Sequence, residues 1–304
     1  RDKDADCDGS IFVCYKSIQS SIRSETEGES RMIIVRLMGG TGNQMFQYAA
    51  GRALAMRHGV DLRLDLAALE DRTPRENHVF RHYTLGMFNV HGQIATGHDW
   101  DSAQFTTVNE PHFHYDPGFE HYADNSFLIG YWQSARYFDA VSETIRQEFT
   151  FRRSVGESRH LWDALRSCES VCLNVRRGDF VDNPKSRSFH GFYGSSYIEQ
   201  AMEIIGTKVS NPKAFVFSDD VEWCRDHIRL DCPAVFVGHE WAGVDFDQYL
   251  FLMSQCRHYV IPNSSFAWWA VWMNNRPAGR TVIAPKRWFQ DPSIRFDDLI
   301  PADW

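Results

Sequence analysis

The seven cysteines of this 304-residue chain form no CxxC pair, and their number is odd. They are scattered along the whole sequence: Cys7, Cys14, Cys168, Cys172, Cys224, Cys232 and Cys256. Such scatter disfavours both a disulfide framework and a zinc site, and it is typical of free thiols in a reducing compartment. We therefore expect an intracellular protein without a resident metal.

Long hydrophobic runs and an excess of basic residues are also missing. The longest uncharged apolar run near the start covers residues 11–15, far short of the roughly 20 residues that cross a bilayer. The formal net charge of −8 argues against duplex nucleic acid or an anionic membrane as the main partner. We expect a cytoplasmic protein with no transmembrane segment, at most loosely associated with the inner membrane face. An anionic ligand must then meet a local cluster of basic side chains.

The chain contains enough apolar residues for two domains that each bury a hydrophobic core, since 43% of the residues are hydrophobic and 14% are aromatic. Residues 1–31 are polar and charged with little periodicity, and they are predicted to be a flexible leader. The first clear strand begins at residue 32. We predict an amino-terminal domain over residues 32–155 and a carboxy-terminal domain over residues 156–304.

The amino-terminal half opens with a strand over residues 32–38, a glycine-rich loop, a helix and a second strand over residues 60–66. Glycines let the backbone approach a ligand, and the start of a helix offers N–H groups to an anion. The candidate residues in this loop are Gly40, Gly42, Asn43 and Gln44. A tight structural turn is the alternative interpretation. Residues 70–125 are rich in histidine and aromatic residues, and their pattern predicts an irregular region.

The carboxy-terminal half alternates strands and helices regularly. This pattern predicts a parallel sheet whose ligands bind at the carboxyl ends of the strands. The predicted strands cover residues 171–175, 213–217, 234–237, 258–261 and 280–283.

The strand VCLNV ends in Arg176, Arg177, Gly178 and Asp179. A guanidinium presents a rigid fork of donors that can hold a phosphate by two parallel hydrogen bonds. Gly178 permits a sharp turn, and Asp179 could hold one arginine or contact the ligand. Taken alone, this stretch could equally be a surface turn with a solvated Arg–Asp pair.

Two further strand ends carry polar groups. KAFVF is followed by Ser218, Asp219 and Asp220, and HYVI is followed by PNSSF, which opens a helix at Ser264 and Ser265. Carboxylates accept hydrogen bonds from the N1–H and N2–H groups of guanine, and hydroxyl groups at a helix start suit a diphosphate. Each motif alone could be a helix N-cap. Together, three such ends on one sheet predict a nucleoside diphosphate site.

These motifs resemble those of the α-1,2-fucosyltransferases. The stretch GGTGNQMFQY resembles the amino-terminal signature of that family, and NVRRGDF resembles its His-x-Arg-Arg-Gly-Asp-Tyr motif. FSDD and PNSSFAWW resemble its two later blocks, in the family order. The resemblance runs from residue 32 to about residue 288. Asn174 stands where the family has histidine and Phe180 where it has tyrosine, which puts any role of that imidazole in doubt.

The resemblance implies an α/β protein of GT-B-like fold, with two Rossmann-like domains facing across a cleft. It implies an enzyme that transfers L-fucose from GDP-β-L-fucose to the 2-hydroxyl of a galactose-terminated glycan, with inversion and without a metal or other cofactor. The amino-terminal domain would then lie on the acceptor side, and the carboxy-terminal domain would bind the GDP-fucose.

On this interpretation, Arg176 and Asp179 are the predicted catalytic residues, with Arg176 on the leaving phosphate. No general base stands out. The predicted donor-binding residues are Asn174, Arg177, Asp219, Asp220, Ser264, Ser265, Phe266, Gly40, Gly42, Asn43 and Gln44. The spacing of Asp245 and Asp247 is that of a metal-binding DxD motif, but their position at the start of an apolar helix favours a capping role.

The residues alone are also compatible with two other classes of protein. A dinucleotide-dependent oxidoreductase would use Gly40 and Gly42, with Asp65 as its ribose-binding acid. Met45 stands where that motif needs its third glycine. A catalytically silent sugar- or nucleotide-binding protein is the second alternative, and only Asn174 favours it.

Overall fold

Two five-stranded parallel sheets, one from each half of the chain, carry the fold. The computed structural model describes residues 31–95, 104–153, 158–178, 181, 183–191, 193–275, 279–302 and 304. Within these ranges the chain from Arg31 to Trp304 is one compact unit. The leader predicted at residues 1–31 lies outside the described residues except for its last position. The predicted boundary at residue 155 also lies outside them, and both stay predictions.

The first sheet has the strand order β3-β2-β1-β5-β4, and all its strand pairs are parallel. Its strands are β1 (Met32–Arg36), β2 (Asp61–Asp65), β3 (Gln93–Ile94), β4 (Thr106–Asn109) and β5 (Ser126–Ile129). The central strand β1 is almost entirely buried, which explains its continuous apolar sequence. The predicted strands corresponding to β1 and β2 are confirmed, whereas β3 and β4 are short, largely exposed and were not predicted.

The helices of the first half flank this sheet. They are α1 (Thr41–His58), α2 (Ala67–Glu70) and α3 (Ser142–Glu148). Helix α1 ends at Gly59, whose φ of 64° places it in the left-handed region that glycine adopts easily. Short 3₁₀ helices occur at Leu85–Met87, Pro117–His121, Ala135–Tyr137 and Asp139–Val141.

The second sheet has the order β10-β9-β6-β7-β8 and is also parallel, as predicted. Its strands are β6 (Glu169–Val175), β7 (Pro212–Ser218), β8 (Ala234–Phe236), β9 (His258–Val260) and β10 (Val282–Ile283). The carboxyl ends of β9, β6, β7 and β8 therefore follow one another along a single edge of the sheet.

Within the described residues of this second half, six α-helices connect or cover the strands. They are α4 (Arg159–Arg166), α5 (Pro184–His190), α6 (Ser195–Lys208), α7 (Val221–His227), α8 (Asp247–Ser254) and α9 (Ser265–Trp272). Helix α5 was not predicted. None of the helices in the part of the chain that the structure describes is long and apolar enough to cross a membrane. The five cysteines in that part are free thiols.

The two halves meet where α1 crosses α9. The Phe46 ring lies 4.5 Å from the Trp268 ring and 4.9 Å from the Trp269 ring, measured between centroids. The indole Nε1 of Trp269 donates to the carbonyl oxygen of Gly42 at 2.9 Å. A Cβ atom at Gly42 would overlap the backbone of Ser265, so the starts of the two helices touch.

The end of the chain returns to the first half. The Asp298 carboxylate accepts hydrogen bonds from the Tyr115 N–H at 2.8 Å and from the Ser134 hydroxyl at 3.2 Å. The Trp304 ring lies 5.3 Å from that of Trp268. The carboxy-terminal segment thus contacts the amino-terminal half through Asp298.

Candidate active site

A cleft of about 650 Å³ lies where the carboxyl ends of the two sheets meet, and residues from both halves line it. Its described lining includes four arginines and lysines but only two carboxylates. These charged residues are Arg75, Arg81, Arg176, Lys185, Asp219 and Asp245. The cleft therefore has a local excess of positive charge within a chain of net charge −8, and it suits an anionic ligand.

Arg176 reaches the cleft from the end of β6, and Asp219 holds it in place. Its Nη1 lies 2.7 Å from Oδ2 of Asp219, and 29% of the arginine side chain stays exposed. The other oxygen of Asp219 accepts the backbone N–H of Arg177 at 2.8 Å. A Cβ at Gly178 would lie 2.7 Å from the same carboxylate, so a residue without a side chain suits this position. Asp219 thus positions Arg176 and already uses both oxygens.

Arg177 faces away from the cleft. Its Nε donates to Oδ2 of Asp220 at 3.2 Å, and its guanidinium carbon lies 3.6 Å from the ring centroid of Trp223. Asp220 in turn accepts the backbone N–H of Trp223 at 3.1 Å and caps α7. Neither Arg177 nor Asp220 lines the cleft, so this placement gives no support to their predicted donor contacts. Asp179 lies outside the described residues.

Asn174 lies on β6 and lines the cleft beside Arg176. Its side-chain nitrogen donates to the carbonyl oxygen of Phe217 on the neighbouring strand at 3.2 Å. The asparagine that replaces the family histidine therefore links β6 to β7 within the cleft wall.

The opening of α1 separates the two polar residues that the sequence could not distinguish. Asn43 lines the cleft, and its Oδ1 accepts from the Ser265 hydroxyl and from Nε2 of Gln133, both at 2.8 Å. It therefore joins the two halves at the cleft floor. Gly40 and Gly42 also line the cleft, as predicted.

Gln44 is fully buried and does not line the cleft. Its Nε2 donates to the carbonyl oxygens of Gly39 and His82 at 3.0 and 2.9 Å, and its Oε1 accepts the Thr84 N–H at 3.0 Å. The predicted donor-binding role of Gln44 is not supported by this position. The residue instead fixes the loop that contains His82.

The starts of α1 and α9 both lie at the cleft floor. Ser264, Ser265 and Phe266 line the cleft, and the Ser264 hydroxyl accepts the Ala267 N–H at 3.4 Å. The first N–H groups of a helix have no partner within the helix, and the helix dipole places partial positive charge there. Because two such ends meet beside Arg176, the cleft floor can hold a phosphate group.

An aromatic wall that the sequence did not reveal closes one side of the cleft. Its rings are those of Phe113, Tyr131, Phe189 and Phe289. Phe289 lies 4.9 Å from Phe113 and 5.3 Å from Phe189, measured between centroids. Because Phe189 is 37% exposed, this wall offers an apolar face to a ligand such as a sugar ring. The aromatic richness of the irregular region was visible in the sequence, but not its neighbours.

Glu110 follows β4 and holds the turn that carries Tyr131 into the cleft. Its carboxylate accepts the N–H groups of Tyr131 and Trp132 at 2.6 and 2.9 Å. Trp132 has a φ of 54°, an unusual conformation for a bulky residue. Burial raises the pKa of Glu110 to about 7, against the opposing effect of the two N–H groups. Glu110 does not line the cleft, so we assign it a positioning role.

Side chains that could in principle bind a metal have other partners in the structure. His112 and His114 stack their rings with centroids 3.5 Å apart. Asp247 is buried and accepts the N–H of the next residue at 2.7 Å, while Asp245 accepts from Nε2 of His82 at 2.6 Å. Across the described ranges, no group of three or more histidine, cysteine or acidic side chains is placed to hold a metal ion.

Asp65, the ribose-binding acid of the oxidoreductase interpretation, does not line the cleft. Its carboxylate pairs with Nε of Arg36 at 2.7 Å and accepts the Ala67 N–H at 3.0 Å. Asp65 therefore links the end of β2 to β1, and its carboxylate does not face the cleft where a dinucleotide would bind.

Two parallel sheets whose carboxyl ends face one another across a cationic cleft have the architecture of a GT-B-like glycosyl transferase. Residues 9–304 match the profile of glycosyl transferase family 11, and the chain belongs to this family. The predicted family resemblance is confirmed, and membership contradicts the oxidoreductase interpretation.

Characterised relatives cover most of the chain. An alpha-1,2-colitosyltransferase of Escherichia coli is 29% identical, over 90% of this chain and 98% of its own length. The galactoside 2-alpha-L-fucosyltransferase Sec1 of Mus musculus is 27% identical, over 90% of this chain and 71% of its own length. Among solved structures, the fucosyltransferase NodZ from Bradyrhizobium superposes with a TM-score of 0.46 at 14% identity, over 80% of this chain and 93% of that one.

Proposed function

We propose that this protein transfers L-fucose from GDP-β-L-fucose to the 2-hydroxyl of a terminal galactoside, with inversion and without a metal ion. Arg176 carries the proposal, because Asp219 holds its guanidinium in the cleft beside the starts of α1 and α9. Membership of glycosyl transferase family 11 and the mouse galactoside 2-fucosyltransferase support the reaction class.

The chemistry requires a diphosphate to leave as the acceptor oxygen attacks. The acceptor 2-hydroxyl forms a bond to C1 of the fucose, the C1–O bond to the β-phosphate breaks, and negative charge grows on the phosphate. Arg176 and the N–H groups of the two helix starts are fixed before the reaction, so they stabilise that charge without reorganisation. A contact that strengthens as charge develops lowers the barrier more than it tightens substrate binding.

The acceptor hydroxyl must also lose its proton. The two carboxylates in the described cleft lining, Asp219 and Asp245, are already engaged by Arg176 and His82. No general base for this step is evident in the sequence, and Asp179 stays a predicted catalytic residue that holds one arginine or contacts the ligand. Turnover of Asp179→Asn against the wild type measures its contribution, and unchanged turnover would remove it from the reaction.

The aromatic wall favours a sugar acceptor. Phe189 presents an exposed apolar ring face beside the cationic floor, with Phe113 and the buried Phe289 packed against it, and a galactoside has an apolar face that stacks on such a ring. We assign this wall to the acceptor galactose and the floor to the donor diphosphate.

The decisive experiment incubates the protein with GDP-fucose and a panel of β-galactosides in the presence of chelator, with NMR to determine the linkage. We expect an α-1,2-linked fucoside. A different linkage would overturn the acceptor assignment, and donor hydrolysis without transfer to any galactoside would exclude the transferase activity.

The same assay should be run with a second donor, because one relative is an alpha-1,2-colitosyltransferase. We expect GDP-fucose to have the higher kcat/KM. Faster transfer from GDP-colitose would reassign the donor sugar while leaving the family and the diphosphate site unchanged.

A further inference from the structure

The turn between β8 and α8 has an unusual backbone. Gly243, Asp245 and Phe246 have φ values of 75°, 55° and 62°. Two consecutive residues with side chains thus occupy the left-handed region that such residues seldom adopt. Unfavourable backbone of this kind persists where the surrounding structure imposes it, and it is concentrated at ligand sites.

This turn displays an exposed aromatic ring in the cleft. Phe246 lines the cleft and is 41% exposed, although burial would be favourable for a phenylalanine. Its ring is supported by the edges of Tyr249 and His239, with centroids 5.7 and 6.0 Å away. One face of a supported, solvent-exposed ring is a stacking surface for a flat ligand.

Asp245 presents a carboxylate at the same position. Its Oδ1 accepts from Nε2 of His82 at 2.6 Å, which anchors the side chain to the first half of the protein. The second oxygen, Oδ2, has no hydrogen-bond partner among the described residues, and Asp245 lines the cleft. An anchored carboxylate with one open oxygen can accept N–H groups from a ligand.

The order of the strands places this turn at the far end of the phosphate site. The cleft edge runs from Ser264 after β9, through Arg176 after β6 and Asp219 after β7, to Phe246 after β8. Neighbouring strands lie about 4.8 Å apart, so the ends of β9 and β8 are about 14 Å apart, and the segment that follows β8 brings Phe246 back to the same cleft. A nucleoside diphosphate with its phosphates at Arg176 and Ser264 can therefore extend its base toward Phe246.

We propose that Phe246 and Asp245 form the nucleobase subsite for the donor. The guanine ring stacks on Phe246, and the carboxylate of Asp245 accepts the N1–H and N2–H groups of the base. This inference rests on the proposed use of a GDP-sugar. It moves base recognition away from Asp219, whose oxygens are engaged by Arg176 and Arg177, and from Asp220, which caps α7.

Calorimetric titration with GDP, IDP and inorganic pyrophosphate tests both contacts. IDP has the same ring and phosphates but lacks the N2 amino group. We expect the wild type to bind GDP at least about tenfold more tightly than IDP, because a hydrogen bond to a charged group is lost. Phe246→Ala should weaken both nucleotides about tenfold or more and leave pyrophosphate unchanged. Phe246→Tyr, which keeps the ring, serves as the matched control and should bind like the wild type.

Asp245→Asn isolates the charge of the carboxylate, because asparagine tolerates the left-handed backbone well. We expect this variant to lose the preference for GDP over IDP while its melting temperature stays near that of the wild type. A retained preference would overturn the role of Asp245, and unchanged GDP affinity in Phe246→Ala would overturn the role of Phe246. Equal losses for GDP and pyrophosphate would also overturn the proposal, since the turn would then support the phosphate site only.

The wild-type titration separates this inference from the proposed function. If the wild type binds GDP but the variants behave as it does, only the nucleobase subsite fails. If the wild type binds no GDP, the proposed donor fails and the subsite with it.

Discussion

Arg176 and Arg177 are neighbours in sequence but have different surroundings, because successive residues at a strand end point to opposite sides. Arg176 enters the cleft with Asp219, whereas Arg177 stacks on Trp223 and pairs with Asp220. From the sequence motif alone, both arginines were predicted to bind the phosphate groups of the donor. The structure places Arg176 in the cleft and Arg177 beside Asp220, which caps α7.

Arg176→Lys should lower kcat about a hundredfold, because lysine keeps the charge but cannot form two parallel hydrogen bonds in fixed geometry. The affinity for GDP should change less, and the melting temperature should shift little. Steady-state kinetics and thermal denaturation measure these effects.

Arg177→Lys is the matched comparison. It loses the stacking on Trp223, so we expect a lower melting temperature with kcat close to that of the wild type. If this variant abolishes turnover while Arg176→Lys stays active, the two arginines have been assigned the wrong way round.

Glu110 gives the protein a predicted pH dependence of stability. Because burial raises its folded pKa from the ordinary 4.5 to about 7, the folded state binds more protons than the unfolded state between these values. The free energy of unfolding should therefore fall as pH rises from about 4.5 to about 7. Urea unfolding across this range, compared with Glu110→Gln, isolates the contribution. Identical slopes for the two proteins would contradict it.

At the scale of elements, the contact between α1 and α9 depends on the absence of a side chain at Gly42. Gly42→Ala forces a Cβ atom into the backbone of Ser265 and Phe266. We expect a loss of about 1–3 kcal/mol in unfolding free energy, together with reduced activity, because the cleft floor is displaced. Chemical denaturation and the transfer assay measure the two losses.

Gly40→Ala is the control, because a Cβ there meets no atom within 4 Å and φ is −76°. Its stability should match that of the wild type. A loss of GDP binding in stable Gly40→Ala would show that the ligand approaches the backbone at this position.

Long, periodic or continuous apolar elements could be predicted from the sequence, as β1, α1 and the whole second sheet illustrate. The strands β3 and β4 and the helix α5 could not, because they are short and are defined by their neighbours. The same limit applies to the site. Asn43 and Gln44 are adjacent polar residues at a helix start, and only the packing shows that one lines the cleft while the other is fully buried.

At the scale of the whole molecule, the cationic cleft predicts activity without added metal. On the proposed function, Arg176 and the helix starts neutralise the leaving diphosphate, which is the role that a divalent ion performs in other enzymes. Transfer measured in EDTA should match transfer in buffer alone. Loss of turnover in EDTA with recovery on adding Mn²⁺ or Mg²⁺ would contradict this.

The meeting of α1 and α9 brings two like electrical poles together. Each helix start carries partial positive charge, so these two helix ends repel each other across the contact between the two halves of the protein. An anion bound there is attracted by both helix starts, and it therefore stabilises the contact between the two halves. Pyrophosphate or sulfate should therefore raise the melting temperature more than chloride does at equal ionic strength, because chloride mainly screens whereas a bound anion stabilises by mass action.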